Sequence, residues 1–329
     1  MSHRTIRVGM IGSGGIARYH IGNLLQIPSV EVVALSDPNP AMRDAAKFAY
    51  PAIKDAVEYD DYEKMLDTES LDAVQIHTPH TLHLKQMQDA FGKGLSVLCE
   101  KPLATTVADA HAAIAARDAA GKVGLLSYQR HFQPEFRFMR DKIMSGEFGA
   151  VTFVSALQCQ GWKKGTAGTW RQVPELSGGG QLNDSGSHLV DIILWVTGLA
   201  AESVSCYNDN RGTPVDIDSA LAIKFRNGAM GSLTIVGDAQ TWHEDISIWC
   251  EKGTFHMRQG QGLSFVDEKG NRFECKQLMG GSNPDRNFIE AIRDGAPVES
   301  PFECGLRVIE LTEAAWKSAA NGGAPSLVA

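Results

Sequence analysis

The chain is poor in cysteine and has no CxxC pair, which argues against a disulfide scaffold, a zinc ribbon or a thioredoxin-like redox site. Its six cysteines, Cys99, Cys159, Cys206, Cys250, Cys275 and Cys304, are far apart, and buried thiols in a reducing compartment are expected. Long apolar runs are also missing, so no membrane-spanning helix is expected. The opening MSHRTIRVGMIGSGG lacks the apolar region of a secretory signal and passes straight into a strand pattern. Positive charge is not in excess: 31 Lys and Arg against 39 Asp and Glu give a formal charge of −8, which disfavours nucleic acid as a partner. These absences lead to the expectation of a cytoplasmic protein. Internal repeats and low-complexity segments are absent too.

What is present is an ordinary globular composition, 43% hydrophobic and 21% charged, able to build a large core. At roughly 100–200 residues per domain, the length predicts two domains. Over the first 127 residues, strand patterns alternate with helical ones. Strands are read at 5–11, 30–35, 71–77, 95–99 and 123–127, and helices at 16–25, 41–48, 81–93 and 107–120. Such alternation predicts a parallel sheet covered on both faces, the doubly wound α/β architecture. Beyond it the pattern changes. A helix at 136–145 precedes strand patterns at 151–157 and, in series, from 204 to 273. Turns such as Arg226-Asn227-Gly228 and Glu268-Lys269-Gly270-Asn271 separate them, and final helices are read at 287–293 and 306–320. The fold class expected is α/β: an N-terminal doubly wound Rossmann domain at 1–127, then a C-terminal α+β domain at 128–329 built on a large, mostly antiparallel sheet.

The segment Gly12-Ser13-Gly14-Gly15-Ile16-Ala17 is a GxGxxA turn between a strand and a helix. There Gly12 permits the tight turn, Gly14 lets the backbone approach a pyrophosphate, and Ala17 lets the helix pack near the strand; the pyrophosphate would meet the free N–H groups of the helix N-terminus. Asp37 ends the second strand, 20 residues beyond Ala17. A carboxylate there can accept hydrogen bonds from both ribose hydroxyls of NAD and would repel the 2′-phosphate of NADP. NAD is therefore the expected cofactor; a turn-forming Asp before Pro38 is the plainer alternative for that residue. The strand at 95–99 runs into Glu100-Lys101-Pro102, at the sheet edge where such folds bind ligands.

A run of three glycines precedes Gln181-Leu182-Asn183-Asp184-Ser185-Gly186-Ser187-His188, and a helix is read on to Thr197. Leu189, Ile192, Ile193 and Val196 give its apolar face, while Asp184, His188 and Asp191 fall at i, i+4 and i+7 along another. Such a row can bind metal, but no further ligand is evident nearby, and no metal is expected. Asp191 reads as a partner that orients the helix. Trp162, Lys163, Lys164, Trp170 and Arg171 precede the glycines, and Arg130 follows the first domain. Aromatics among donors suit a carbohydrate, and the cations could hold a carboxylate or phosphate; a solvated loop with two core tryptophans is the alternative.

The segments GMIGSGGIA, HTPHTLH, LCEKPLA, SYQRHFQP and GGGQLNDSGSHLVD occur together and in this order. They resemble the Gfo/Idh/MocA family, named for glucose–fructose oxidoreductase, inositol dehydrogenase and a rhizopine-catabolism protein, and the resemblance covers nearly the whole chain. It implies that Lys101 lies at the active site near the nicotinamide, and that Thr78, Pro79 and His83 line the nicotinamide pocket. For His83 a helix residue that caps the loop is the alternative. It implies that Asp184 binds substrate and that His188 is the general base, a role also given to the lysine in some members. The expected cofactor contacts are Gly12, Gly14, Gly15, Ile16, Asp37, Thr78, Pro79, His83, Glu100 and Lys101. The expected substrate contacts are Lys101, Arg130, Trp162, Trp170, Arg171, Asp184 and His188. The activity implied is hydride transfer between a sugar, polyol, inositol or sugar acid and NAD. Two alternatives stay open: a redox-neutral, NAD-assisted glycoside hydrolase, distinguished by the absence of net NADH, and a non-catalytic dinucleotide-binding protein. A homodimer or homotetramer formed through the open face of the C-terminal sheet is expected.

Overall fold

The computed structural model describes residues 4–329; Met1, Ser2 and His3, where the N-terminal reading began, lie outside them. In chain order the first half runs β1 (Ile6–Ile11), α1 (Gly15–Leu24), β2 (Val30–Ser36), α2 (Pro40–Ala49), β3 (Val57–Tyr59), α3 (Tyr62–Thr68), β4 (Ala73–Ile76), α4 (His83–Gly92), β5 (Ser96–Cys99), α5 (Val107–Ala120) and β6 (Gly124–Leu126). Then come α6 (Pro134–Met144), β7 (Val151–Cys159), the single turns α7 (Trp162–Gly165) and α8 (Pro174–Ser177), and α9 (Gly186–Thr197). The series β8 (Ala201–Asp209), β9 (Asp218–Phe225), β10 (Met230–Val236), β11 (His243–Cys250), β12 (Gly253–Arg258), β13 (Gly262–Asp267) and β14 (Arg272–Glu274) follows. The chain closes with α10 (Pro284–Asp294), α11 (Phe302–Ala320) and β15 (Ser326–Leu327).

Two compact units result. The first runs through Ala104 and includes Ala108–Gln129 and Ser282–Glu303. Its sheet has the order β3-β2-β1-β4-β5-β6, and each neighbouring pair is parallel. The central strands are buried on both faces: Ala73, Val74, Gln75 and Ile76 of β4 are all enclosed. That is why they read as continuous runs and not as alternating ones. α1 lays Ala17, Ile21 and Leu24 against Val8 and Met10 of β1 and Leu35 of β2 in one apolar cluster. The β3 and α3 elements had no counterpart in the sequence reading. β3 has three residues, none of them buried, and leaves little periodic signal.

A single cut between 127 and 128 does not describe this unit. The chain returns to it at Ser282, and α10 seals Phe288 and Ile289, both fully buried, into the same cluster as β1 and α1. An amphipathic pattern shows that a helix covers something but not which sheet it covers.

The second unit comprises Thr105–Val107, Arg130–Gly281 and Cys304–Ala329. Its sheet has the order β14-β13-β12-β11-β7-β10-β9-β8-β15. Only β7 and β10 pair parallel; every other ladder is antiparallel. The turn at Arg226-Asn227-Gly228 joins β9 to β10, with Gly228 at φ +90, and Asp267 ties the turn at 268–271 through the N–H groups of Lys269 and Asn271. One face of the sheet is covered: Val154, Ala156, Leu221, Ile223, Leu233, Ile235, Ile246 and Ile248 are buried, and α9 packs against β7. The opposite face carries Phe153, Ser155, Met230, Ser232 and Trp249, half-buried or exposed, with the Phe153 and Trp249 rings 5.7 Å apart. Among the described residues no helix is long and apolar enough to cross a membrane.

Candidate active site

In the first unit the parallel sheet brings the carboxyl ends of β1, β2, β4 and β5 to one edge. β1 ends at Gly12, whose φ of +88 suits glycine, and a Cβ there would lie 2.8 Å from the His77 carbonyl oxygen. Gly14 caps α1 without any side-chain hydrogen bond, and a Cβ on it would meet nothing within 4 Å. Gly15 and Ile16 are exposed beside it. The N-terminus of α1 thus has no side-chain cap and an uncrowded Gly14, the arrangement that suits an anionic ligand. β2 ends at Asp37, which accepts the Ser13 N–H at 2.9 Å and the Asn39 N–H at 2.9 Å. Arg43, the first cation after it, donates to the Asp37 carbonyl and to Glu58 at 3.1 Å. Lys47 also reaches Glu58, and the two cations hold that carboxyl below its usual range.

β4 ends at Ile76 and leads into His77, Thr78 and Pro79. Thr78 Oγ1 donates to Gln86 Oε1 at 2.5 Å. His83 is fully buried, with Nδ1 2.8 Å from the Pro102 carbonyl and Nε2 3.0 Å from the Thr78 carbonyl. Burial pushes its pKa down, so the ring is neutral and can donate from one nitrogen only; the shorter contact favours Nδ1–H donating to the Pro102 carbonyl. His83 thus braces the Glu-Lys-Pro turn against the β4 loop. Glu100 is buried, Lys101 half-buried, and the Lys101–Pro102 peptide is cis.

Under this edge lies a group that the sequence reading passed over. His20 of α1 is fully enclosed, with Nδ1 2.8 Å from Asp285 Oδ1 and Nε2 2.9 Å from Glu100 Oε1. Burial opposes its charge, but Asp285 and then Glu100 outweigh it and push its pKa up to about 10. Burial likewise opposes charge on Glu100, yet the His20 contact and the Lys101 charge hold it well below the carboxylate range. His77 stacks on His20 at 4.6 Å and is driven far down by burial and by that neighbouring charge, so one ring of the stack is charged. Asp285 also accepts from Gln75 and Asn23. The signal for His20 was its place at i+3 from Ala17, on the apolar face of α1. Asp285 had none, since it lies 265 residues from its partner.

In the second unit the glycine run is explained by packing. Gly178 has φ +65, and a Cβ on Gly180 would lie 1.9 Å from the Asp216 carbonyl oxygen. Asp216 accepts the N–H groups of Gly180 at 3.0 Å and Leu182 at 2.9 Å and the Trp316 indole at 3.1 Å, although burial pushes its pKa up. The tight turn delays the helix, which starts at Gly186 and not before Asp184. Asp184 therefore precedes α9, and the expected helical row of Asp184, His188 and Asp191 does not form. Asp184 Oδ2 instead accepts Trp162 Nε1 at 2.8 Å and Arg171 Nε at 3.0 Å. α9 is buried on every side except at His188, which is half-buried. Asp191 points elsewhere, to His131 Nε2 at 2.8 Å. Cys304 joins this pair, and the three ligand-type atoms lie within 4.8 Å of one another. The grouping shares only Asp191 with the expected row and is a different one. It is bonded internally, however, and Arg307 donates to the Cys304 sulfur at 3.4 Å, a cation that opposes a metal ion.

The substrate-side candidates divide. Trp162 is buried with Val215 and Ile217, a core tryptophan whose indole N–H serves Asp184. Trp170 is half-buried, and the Arg171 guanidinium stacks on it at 4.5 Å. Lys163 pairs with Asp238 at 3.1 Å, and Lys164 is exposed. Arg130 is enclosed and bound to Glu244 at 2.7 Å, with Gln158 on the same oxygen at 3.1 Å, so its charge is already balanced.

Residues 6–128 match the oxidoreductase family with an NAD-binding Rossmann fold, and residues 136–256 match the GFO/IDH/MocA C-terminal domain. The chain belongs to the Gfo/Idh/MocA oxidoreductase family. The rhizopine catabolism protein MocA of Rhizobium meliloti is 32% identical over 329 residues, covering 94% of this chain and 93% of that protein. An inositol 2-dehydrogenase of Leifsonia xyli subsp. xyli is 26% identical, covering 90% of this chain and 87% of that one. The WlbA dehydrogenase of Bordetella pertussis, solved with NADH and UDP-GlcNAcA, superposes with a TM-score of 0.84 at 26% identity, covering 100% of this chain and 99% of the other. The Gfo/Idh/MocA N-terminal domain binds NAD, and the residues here fit it. The glycine turn is open where a Cβ would point, α1 has uncapped N–H groups, and Asp37 offers a carboxylate at the end of β2.

Proposed function

We propose that this oxidoreductase is an NAD-dependent dehydrogenase of a sugar, polyol, inositol or sugar acid, and that Lys101, Asp184 and His188 take part in one reaction. The observation that carries the reading is His188: on a helix otherwise enclosed on all sides, it alone reaches solvent, one turn after the substrate-type carboxylate Asp184. An imidazole there can take the proton of a hydroxyl and return it. Lys101 supports the developing alkoxide by its charge, and Asp184, oriented by Trp162 and Arg171, accepts a neighbouring hydroxyl. NAD, when bound, supplies the hydride acceptor. Gly12, Gly14, Gly15 and Ile16 shape its pyrophosphate site, and Thr78 and Pro79 border the cofactor beside Lys101. His83 and Glu100 hold the loops that do so. Trp170 and Arg171 face the substrate, while Arg130 and Trp162 brace the residues around it.

The named relatives support a polyhydroxylated substrate: one is an inositol 2-dehydrogenase, and WlbA was solved with UDP-GlcNAcA. Asp37 favours NAD over NADP, because its carboxylate would repel a 2′-phosphate and Arg43, the next cation along the chain, is engaged by Glu58 and the Asp37 carbonyl. The open face of the second unit's sheet supports a homodimer or homotetramer, and the six free thiols suit a reducing, cytoplasmic setting. The test is a screen of sugars, inositols and sugar acids with NAD, following NADH absorbance. Accumulating NADH with one substrate is expected. Cleavage of a glycoside without net NADH would replace the reading with redox-neutral elimination, and no turnover with any of them would contradict it.

A further inference from the structure

Of the buried charges below the Glu-Lys-Pro turn, only Glu100 has a part in the reading above; His20 and Asp285 have none. His20 has a carboxylate at each ring nitrogen, Asp285 at 2.8 Å and Glu100 at 2.9 Å. A neutral imidazole can donate from only one nitrogen, so two carboxylate acceptors require the charged ring. Every element around it contributes. Tyr19 meets it edge-on from its own helix, and Asn23, one turn on, donates to Asp285. β4 contributes Gln75, which donates to Asp285 at 2.9 Å, and the stacked, neutral His77. Ser127, after β6, places its hydroxyl 3.5 Å from Nε2. Glu100 Oε2, the oxygen turned away from His20, accepts the backbone N–H of Lys101 at 3.2 Å. One chain of contacts therefore runs from α10 through the imidazole to the main chain of Lys101.

We propose that His20 is a positioning residue for the Glu-Lys-Pro turn: as an imidazolium anchored by Asp285 it fixes Glu100, and Glu100 fixes the backbone from which Lys101 projects. The inference rests on the reading that Lys101 serves hydride transfer. Without the imidazolium, Glu100 is a buried carboxylate facing Asp285 across an uncharged gap. It must then take up a proton or turn outward, and either change weakens its hold on the Lys101 N–H. Small displacements of a catalytic group are costly to rate, while a glycine turn and a ribose carboxylate elsewhere on the sheet edge keep their geometry.

The experiment uses the unmodified protein, His20→Gln and Asp285→Asn, each with labelled histidine for nitrogen NMR. The imidazole signal is read without substrate and so tests the inference apart from the activity. At pH 8 the unmodified protein should show an imidazolium signal that is absent in His20→Gln. In Asp285→Asn the ring keeps only Glu100 as counter-charge and should lose its proton at lower pH. With a substrate from the screen, kcat should fall by up to about 100-fold in His20→Gln while NAD affinity is unchanged. In Asp285→Asn, kcat should decline with rising pH along the imidazole titration. A merely structural histidine would lower the melting temperature and leave kcat per folded molecule intact. If His20→Gln does not fold, the Asp285→Asn pH profile and the NMR signal carry the test. A neutral His20 in the unmodified protein at pH 8, or unchanged kcat in the folded variants, would overturn the inference. Absence of NADH formation by the unmodified protein would instead count against the functional reading.

Discussion

Asp37 accepts a main-chain N–H from each side, Ser13 and Asn39, which hold its carboxylate beside the glycine turn. Its replacement by Ala removes charge-assisted hydrogen bonds to the ribose; the net loss of one, worth about 1.5–3 kcal/mol, should already weaken NADH binding roughly 10–100-fold. NADPH should gain relative to it. Fluorescence titration of both dinucleotides measures the change, and an unmodified protein that prefers NADPH would contradict the assignment. For Trp162 the sequence allows two alternatives, a carbohydrate platform or a core ring. It is the second, with its N–H committed to Asp184. Trp162→Phe keeps the buried ring and removes the donor. The fold should persist while substrate KM rises by roughly 10-fold, the scale of one hydrogen bond to a charged group. Steady-state kinetics and a melting curve separate the two effects. Residues such as Gly12, Asp37 and Lys101 were legible because a local motif fixes their place at strand ends. Asp184 was legible as a residue but not in its partners, since Trp162 and Arg171 meet it through a loop without periodicity.

At the scale of elements, the turn before α9 shows where pattern reading stops. The i, i+4, i+7 spacing of Asp184, His188 and Asp191 is real in the sequence. Yet the close approach of Gly180 to Asp216 keeps the chain from coiling before Gly186, so the three side chains part. A helix start is set by which backbone groups find partners, and here Asp216 takes the N–H groups of Gly180 and Leu182 from a distant loop. Gly180→Ala would drive a Cβ into the Asp216 backbone and should destabilise the fold by about 3 kcal/mol or more. Thermal unfolding checks this, and an unchanged melting temperature would show that the turn yields freely. Alternation along β9 and β10 made the strands of the second unit legible, as did the continuous runs of β1 and β4 in the first. β3, with three residues and no buried face, was not.

At the scale of the whole molecule, the sequence patterns announced two units and their sheet types, but not the return of α10 to the first. Only packing shows that Phe288 completes the core around β1 and that Asp285 reaches His20. The uncovered sheet face, with Phe153, Met230 and Trp249 among small polar residues, leads to the expectation of a dimer or tetramer at micromolar concentration. Light scattering decides it, and a monomer would refute that assembly. The central claim is that Lys101 and His188 serve one proton-coupled hydride transfer. The most direct measurement is NADH formation and NAD binding by the unmodified protein, His188→Ala and Lys101→Ala, with the substrate found in the screen. The account predicts that kcat falls by roughly 10²–10⁴-fold in His188→Ala, the usual contribution of a positioned acid–base group, with NAD affinity barely changed, and that Lys101→Ala is also crippled. Near-normal turnover in His188→Ala would contradict the account and remove the histidine from the reaction.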